Sequence, residues 1–213
     1  MFDIEYKGAN TVVIATKKTT VVTDPKLSLV GLKDAKVNDT VEVATEARFA
    51  VAGRDEARLS IDGPGEYEVG DVSIRGVSAQ RHIDTPEQEQ LSTIYRLEIS
   101  DVQIGVLGNI ADKLDEDQLE ALGLIDILII PVGGGGYTLD ATGAATLIRQ
   151  IEPKAVIPVH YADSGLKYEV PQDTLETFVK ELGAPTEQVS GKYKVKSAAS
   201  LPQTLTVIEL ARS

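Results

Sequence analysis

The chain predicts an α/β fold in which sheets pack face to face and helices lie outside. Three observations carry this. The first half reads as short β-branched segments separated by Gly, Pro and Asp turns. The second half alternates apolar runs with segments of helical spacing. Two of those runs, IDILIIPV and AVIPV, are apolar without alternation, as strands covered on both faces must be.

The elements follow in order. Residues Phe2–Tyr6, Thr11–Thr16 and Thr19–Thr23 read as strands, with Lys-Gly-Ala-Asn and Lys-Lys between them. Asp24-Pro25 ends that run, because the proline ring cannot donate to a ladder and the residue before it avoids helix. Further strands are expected at Thr40–Thr45, Ala57–Asp62, Tyr67–Val69 and Val72–Val77, with Gly63-Pro64-Gly65 and Gly70-Asp71 as turns. Ser92–Ile99 and Val102–Leu107 form a hairpin about Ser100-Asp101. Leu114–Leu122 has helical spacing, with Asp112 as its cap and acidic residues in its first turn. Then come a strand at Ile125–Val132, a helix at Thr142–Ile151 and a strand at Ala155–Val159. A helix at Asp173–Leu182 ends before Gly183, and strands at Lys192–Lys196 and Thr204–Leu210 close the chain.

The 213 residues carry no linker, repeat or low-complexity stretch, so one domain over 1–213 is expected. Apolar residues make up 42% and charged residues 25%, an ordinary globular balance. A net charge of −12 disfavours nucleic acid and anionic membrane surfaces as partners. The absence of cysteine removes disulfides, thiolate nucleophiles and sulfur-ligated zinc. The start, MFDIEYKGAN, lacks a basic and apolar signal pattern, and no run is apolar enough to span a bilayer, so a cytoplasmic location is expected.

Chemistry-bearing residues are sparse. Gly133–Gly136 lies between a buried strand and a helix beginning near Asp140, where backbone N–H groups can form an anion nest or simply a tight turn. It lacks the lysine of a phosphate-binding loop and the spacing of a dinucleotide fingerprint. The two histidines are His82, after the strand VSIRGV, and His160, at the end of AVIPV. Strand ends of this kind face the usual ligand crevice of α/β proteins. Two histidines alone do not make a zinc site. No G-x-S-x-G is present, and Ser164 has only its nearness to His160 in its favour.

The ordered segments IEYKGAN…TDP, GPGEYEVGDVSIRGV, STIYRLEI, LGNI, IDILIIPVGGGGYTLDATGAA and IEPKAVIPVHY resemble the metallo-β-lactamase superfamily. The nearest likeness is to its branch of ascorbate-phosphate lactonase-like metal-dependent hydrolases. The resemblance spans nearly the whole chain and implies an αββα sandwich of mixed sheets with outer helices. It also implies a metal site along one edge, built on HxHxDH, a further His, a bridging Asp and a last His. At the HxHxDH position this chain has EARFAV, so the ligand positions become Glu46, Arg48, Ala50 and Val51. The further His corresponds to His82, the bridging Asp to Asn109 in LGNI, and the last His to His160. Asp24 corresponds to the Asp-Pro that supports the site from outside.

Ala50 and Val51 have no side-chain donor, an amide at Asn109 bridges cations poorly, and Arg48 places a fixed positive charge where a cation would sit. Arg48 is expected to pair with Glu46 or Asp24. The segment between Val51 and Ser60 is too short and glycine-broken for the helix that usually follows the motif. The resemblance therefore implies a hydrolase-like protein without metal or other cofactor, acting in binding or assembly, with no catalytic residue assigned. The expected ligand is a small anion held by Glu46, Arg48, His82, Asn109, Gly134, Gly135 and His160, and a homo-oligomer is compatible with the sequence. The alternative is a hydrolase of lactones or phosphoesters with a single metal on Glu46, His82 and His160.

Overall fold

The computed structural model describes residues 1–51, 56–85 and 91–213. Its first sheet contains β1 (Phe2–Gly8), β2 (Thr11–Ala15), β3 (Thr20–Thr23), β4 (Val41–Val43), β5 (Leu59–Ile61) and β13 (Tyr193–Val195), in the order β13-β1-β2-β3-β4-β5. The second contains β6 (Gly65–Val69), β7 (Val72–Ala79), β8 (Ser92–Ile99), β9 (Val102–Val106), β10 (Ile127–Pro131), β11 (Ala155–Val159), β12 (Thr186–Val189) and β14 (Thr206–Leu210). Its order is β12-β14-β11-β10-β9-β8-β7-β6. The β6–β9 half is an antiparallel meander, and the β9–β10–β11–β14 half is parallel.

The non-alternating runs explain the layering. Along β10, Ile127 and Ile129 join Ile4, Ile14, Val21, Val43 and Leu97 in the core between the sheets. Leu128 and Ile130 point the other way, onto Leu147, Ile148 and Phe178. The helices are α1 (Glu116–Leu122), α2 (Ala141–Ile151) and α3 (Leu175–Leu182). They cover the second sheet: α1 lies on β7, α2 on β10, and α3 on α2. Among the described residues the first sheet has no comparable α-helical layer. Its β1 carries Glu5, paired with Lys7 at 2.8 Å and with Lys192 at 2.7 Å.

Differences from the sequence expectations have local causes. The cap of α1 is Asp115 rather than Asp112: its carboxylate accepts from Gln118 N–H, and the Gln118 side chain accepts in return from Asp115 N–H. The α2 cap is Asp140, and Gly183 ends α3 in a left-handed conformation, as expected. The strand Thr186–Val189 was not foreseen, because it is an exposed edge strand with no apolar alternation. The expected strand Thr40–Thr45 ends at Val43, since Thr45 turns to bond Asp24. The expectation that no helix follows Val51 falls largely on residues 52–55, which lie outside the described residues. No helix among the described residues is long and apolar enough to cross a membrane.

Candidate functional site

The site is assembled from loops at one edge of the sandwich. The β1–β2 turn reaches across to the second sheet twice. Ala9 carbonyl accepts from His160 N–H at 2.8 Å, and Asn10 Nδ2 donates to Asn109 Oδ1 at 3.1 Å. His160 follows β11 and Asn109 follows β9, so one turn ties together the ends of two parallel strands. From the first sheet, Asp24 follows β3, and Thr45 follows β4.

Thr45 gives both its donors to Asp24: its N–H to Oδ1 at 2.6 Å and its hydroxyl to Oδ2 at 2.6 Å. Asp24 is buried, and that burial raises its pKa to about 7 against the opposing Thr45 hydrogen bonds. The Thr45 carbonyl accepts from Thr93 N–H and Ser92 hydroxyl, which locks the end of β4 to the start of β8. A Cβ at Gly108 would collide with the Thr45 side chain, so this approach requires glycine.

Glu46 is only 3% exposed, yet it faces two cations. Arg48 Nη2 donates to Oε1 at 3.1 Å, Arg48 Nε lies 2.9 Å from Oε2, and Arg81 Nη1 lies 3.7 Å from Oε2. Burial pushes the Glu46 carboxyl up, and Arg48 pulls against it. The Arg48 guanidinium also sits over Phe49, 4.7 Å from the ring centroid, and over Tyr137 at 5.3 Å.

His160 is 5% exposed and has a left-handed backbone, φ 52°. Asp24 at φ 42° and Ala9 at φ 46° share that conformation. Strained backbone thus gathers around one spot. Burial lowers the His160 pKa to about 4 against its bond to Gln172, so the ring is neutral at ordinary pH. Its Nδ1 lies 3.1 Å from Gln172 Oε1, while Gln172 Nε2 donates to Val170 carbonyl at 3.0 Å. Tyr168 and Tyr137 flank the imidazole at 4.7 and 5.7 Å between centroids.

Between these groups lies a cavity of about 40 Å³. Asn10, Asp24 and His160 form its polar lining, Phe49, Tyr137 and Tyr168 its aromatic walls, and Leu29, Val30 and Val170 add apolar surface. Lys26 and Glu169 bring charges of opposite sign, and Gln172 completes the polar side.

The sequence-predicted residues divide. His160 lines the cavity, Asn109 stands behind Asn10, and the Glu46–Arg48 pair abuts the cavity walls Phe49 and Tyr137. His82 donates its N–H to the Asn109 carbonyl at 2.9 Å, but its side chain is absent from the lining and its Nδ1 is buried without a partner among the described residues. Gly134 and Gly135 form a packed turn. Gly134 N–H is taken by Leu139 carbonyl at 2.9 Å, and a Cβ on Gly135 would stand 2.5 Å from Pro171 carbonyl oxygen. Asn10, Thr45, Tyr137, Tyr168 and Gln172 went unnoticed in the sequence. Thr45 borders the EARFAV segment and was open to suspicion, whereas Gln172 arrives from a loop with no motif. Among the described residues, no three His, Asp or Glu side chains gather in a group suited to a metal ion.

Residues 3–160 match the β-lactamase superfamily domain, and the chain belongs to that superfamily. A metal-dependent hydrolase family protein of Natranaerobius thermophilus is 28% identical over 161 residues, 73% of this chain and 67% of that protein. A candidate Zn-dependent hydrolase of the metallo-β-lactamase superfamily from Thermotoga maritima superposes with a TM-score of 0.76 at 23% identity, covering 98% of this chain and 100% of that one. A candidate metal-dependent hydrolase from Parabacteroides distasonis superposes at 0.64 with 15% identity, over 99% and 93% of the two chains. The fold is therefore the metallo-β-lactamase α/β sandwich, in a hydrolase-like family.

Proposed function

We propose that this chain is a metal-free binding protein on a hydrolase scaffold, and that its cavity holds a small molecule rather than a catalytic metal pair. The observation that carries the reading is the Glu46–Arg48 contact at 2.9 Å. A guanidinium cannot deprotonate to make room for a divalent cation, and Glu46 already has a second one, Arg81, at 3.7 Å. The remaining donor set fits a metal no better. Both Asp24 oxygens accept from Thr45, His160 Nδ1 faces Gln172, and Asn109 is a neutral amide that already accepts from Asn10. A structural or catalytic metal needs three or more free donors in one place.

The test is calorimetric titration of the purified protein with Zn²⁺ and with Mn²⁺, followed by assay of lactone and phosphoester hydrolysis. The expected result is no saturable binding and no metal-stimulated turnover. Tight binding of one ion per chain with hydrolysis would establish instead the mononuclear enzyme built on Glu46, His82 and His160.

A further inference from the structure

We infer that the cavity beside His160 is built for a planar, uncharged group carrying a hydrogen-bond donor and acceptor side by side, of the aromatic primary amide class. The inference rests on the metal-free reading of the same site and specifies what takes the metal's place.

The hydrogen-bond pattern comes first. Gln172 Nε2 is held by the Val170 and Pro171 carbonyls at 3.0 and 3.5 Å, so Oε1 is the atom that faces His160 Nδ1. A carbonyl oxygen accepts, so Nδ1 carries the proton and Nε2 is left as an acceptor. Asn10 and Asn109 share one bond, and Asn10 Oδ1 and Asn109 Nδ2 are both buried without a partner among the described residues. Turning both amides over exchanges these roles but still leaves one acceptor and one donor unpaired. Of this amide pair, Asn10 belongs to the cavity lining and Asn109 stands directly behind it, so the unanswered groups lie at the polar side of the cavity.

Charge comes second. The anion expected from Arg48 finds that guanidinium already on Glu46, while the cavity lining holds two carboxyls, Asp24 and Glu169, against the single cation Lys26. A carboxylate ligand has no N–H or O–H for His160 Nε2 and gains no free cation beyond Lys26, which Glu169 offsets. A primary amide has the same shape, no charge, and both a donor and an acceptor.

Shape comes third. A cavity of about 40 Å³ admits a group of two or three heavy atoms, by the scale of roughly 10–15 Å³ per water. The aromatic part of the ligand then lies in the mouth, against Phe49, Tyr137, Val170 and Leu29. Leu29 is 44% exposed, an apolar rim residue that a ring would cover.

Three probes of nearly one shape separate the causes: benzamide (donor and acceptor, neutral), benzoate (acceptor only, anionic) and methyl benzoate (acceptor only, neutral). Binding is read from the side-chain nitrogen shifts of the two ¹⁵N-labelled histidines. Benzamide is expected to shift Nε2 of His160 and to bind at least about ten-fold more tightly than either other probe, the worth of one good hydrogen bond to a buried group. Gln172→Leu, which frees the tautomer, should weaken benzamide about ten-fold, whereas Gln172→Glu, which keeps an acceptor at Nδ1, should retain it. Benzoate binding as tightly as benzamide, methyl benzoate matching it, or no binding by any probe would each overturn the inference. None of these results bears on metal content, so the metal-free reading stands or falls separately.

Discussion

Arg48 and Glu46 meet twice: Nη2 donates to Oε1 at 3.1 Å, and Nε lies 2.9 Å from Oε2, close but out of line for a hydrogen bond. The carboxylate is buried, while the Arg48 side chain is about a third exposed. A buried carboxylate stripped of its partner keeps its desolvation cost, which is the larger part of what such a pair protects. Arg48→Met should therefore cost about 1–3 kcal/mol in urea unfolding, with Arg81 at 3.7 Å limiting the loss. Adding Glu46→Gln should recover part of it, giving a coupling above about 0.5 kcal/mol. Additive losses would mean that the pair is incidental.

Asp24 and His160 make opposite contributions to the pH dependence of stability. The Asp24 pKa is raised from 3.8 to about 7, so the fold resists its ionisation, and its contribution falls as pH rises from about 4 to about 7. The His160 pKa is lowered from 6.5 to about 4, so the fold resists its protonation, and its contribution rises over about pH 4 to 6.5. Each limiting slope is about 1.4 kcal/mol per pH unit, and over the shared window they offset one another. Asp24→Asn should add a rising slope to the wild-type profile, and His160→Asn a falling one. Asparagine tolerates the left-handed backbone that both positions require. Profiles parallel to wild type would contradict the assignment.

Gly133 and Gly136 separate close packing from backbone strain within one turn. A Cβ at Gly133 would run into the His160 carbonyl oxygen and the Gln172 side chain, whereas one at Gly136 meets nothing within 4 Å. Gly136 pays instead through its φ of 70°. Gly136→Ala should cost about 1–2 kcal/mol by the left-handed penalty alone. Gly133→Ala should cost more and should also disturb the His160 side-chain resonances, because the carbonyl it displaces belongs to that residue. Equal losses in chemical denaturation would refute the distinction.

Much of the architecture was legible because hydrophobic period and turn residues report it directly. IDILIIPV and AVIPV declared two-sided burial, and Asp140, Asp24-Pro25 and Gly183 marked ends that the structure keeps. The edge strand Thr186–Val189 stayed hidden because an exposed strand held only by its neighbour has no reason to alternate. At the site, the Arg48–Glu46 pair could be anticipated, since a fixed charge in a buried setting requires a counter-charge. Gln172, Tyr168 and Asn10 could not, because their roles come from which loops the strands deliver to one edge. The likeness to a metal site also drew attention to His82, which the fold fastens to Asn109 through its backbone.

The most direct test of the central claim is the metal content of the protein, purified without chelators from cells grown in rich medium, by elemental analysis. With Arg48 on Glu46 and Thr45 on both Asp24 oxygens, the account predicts less than about 0.1 equivalent of zinc, manganese or iron per chain, since a site with so few free donors loses its ion on dilution. One or more equivalents of any of these metals per chain would contradict it.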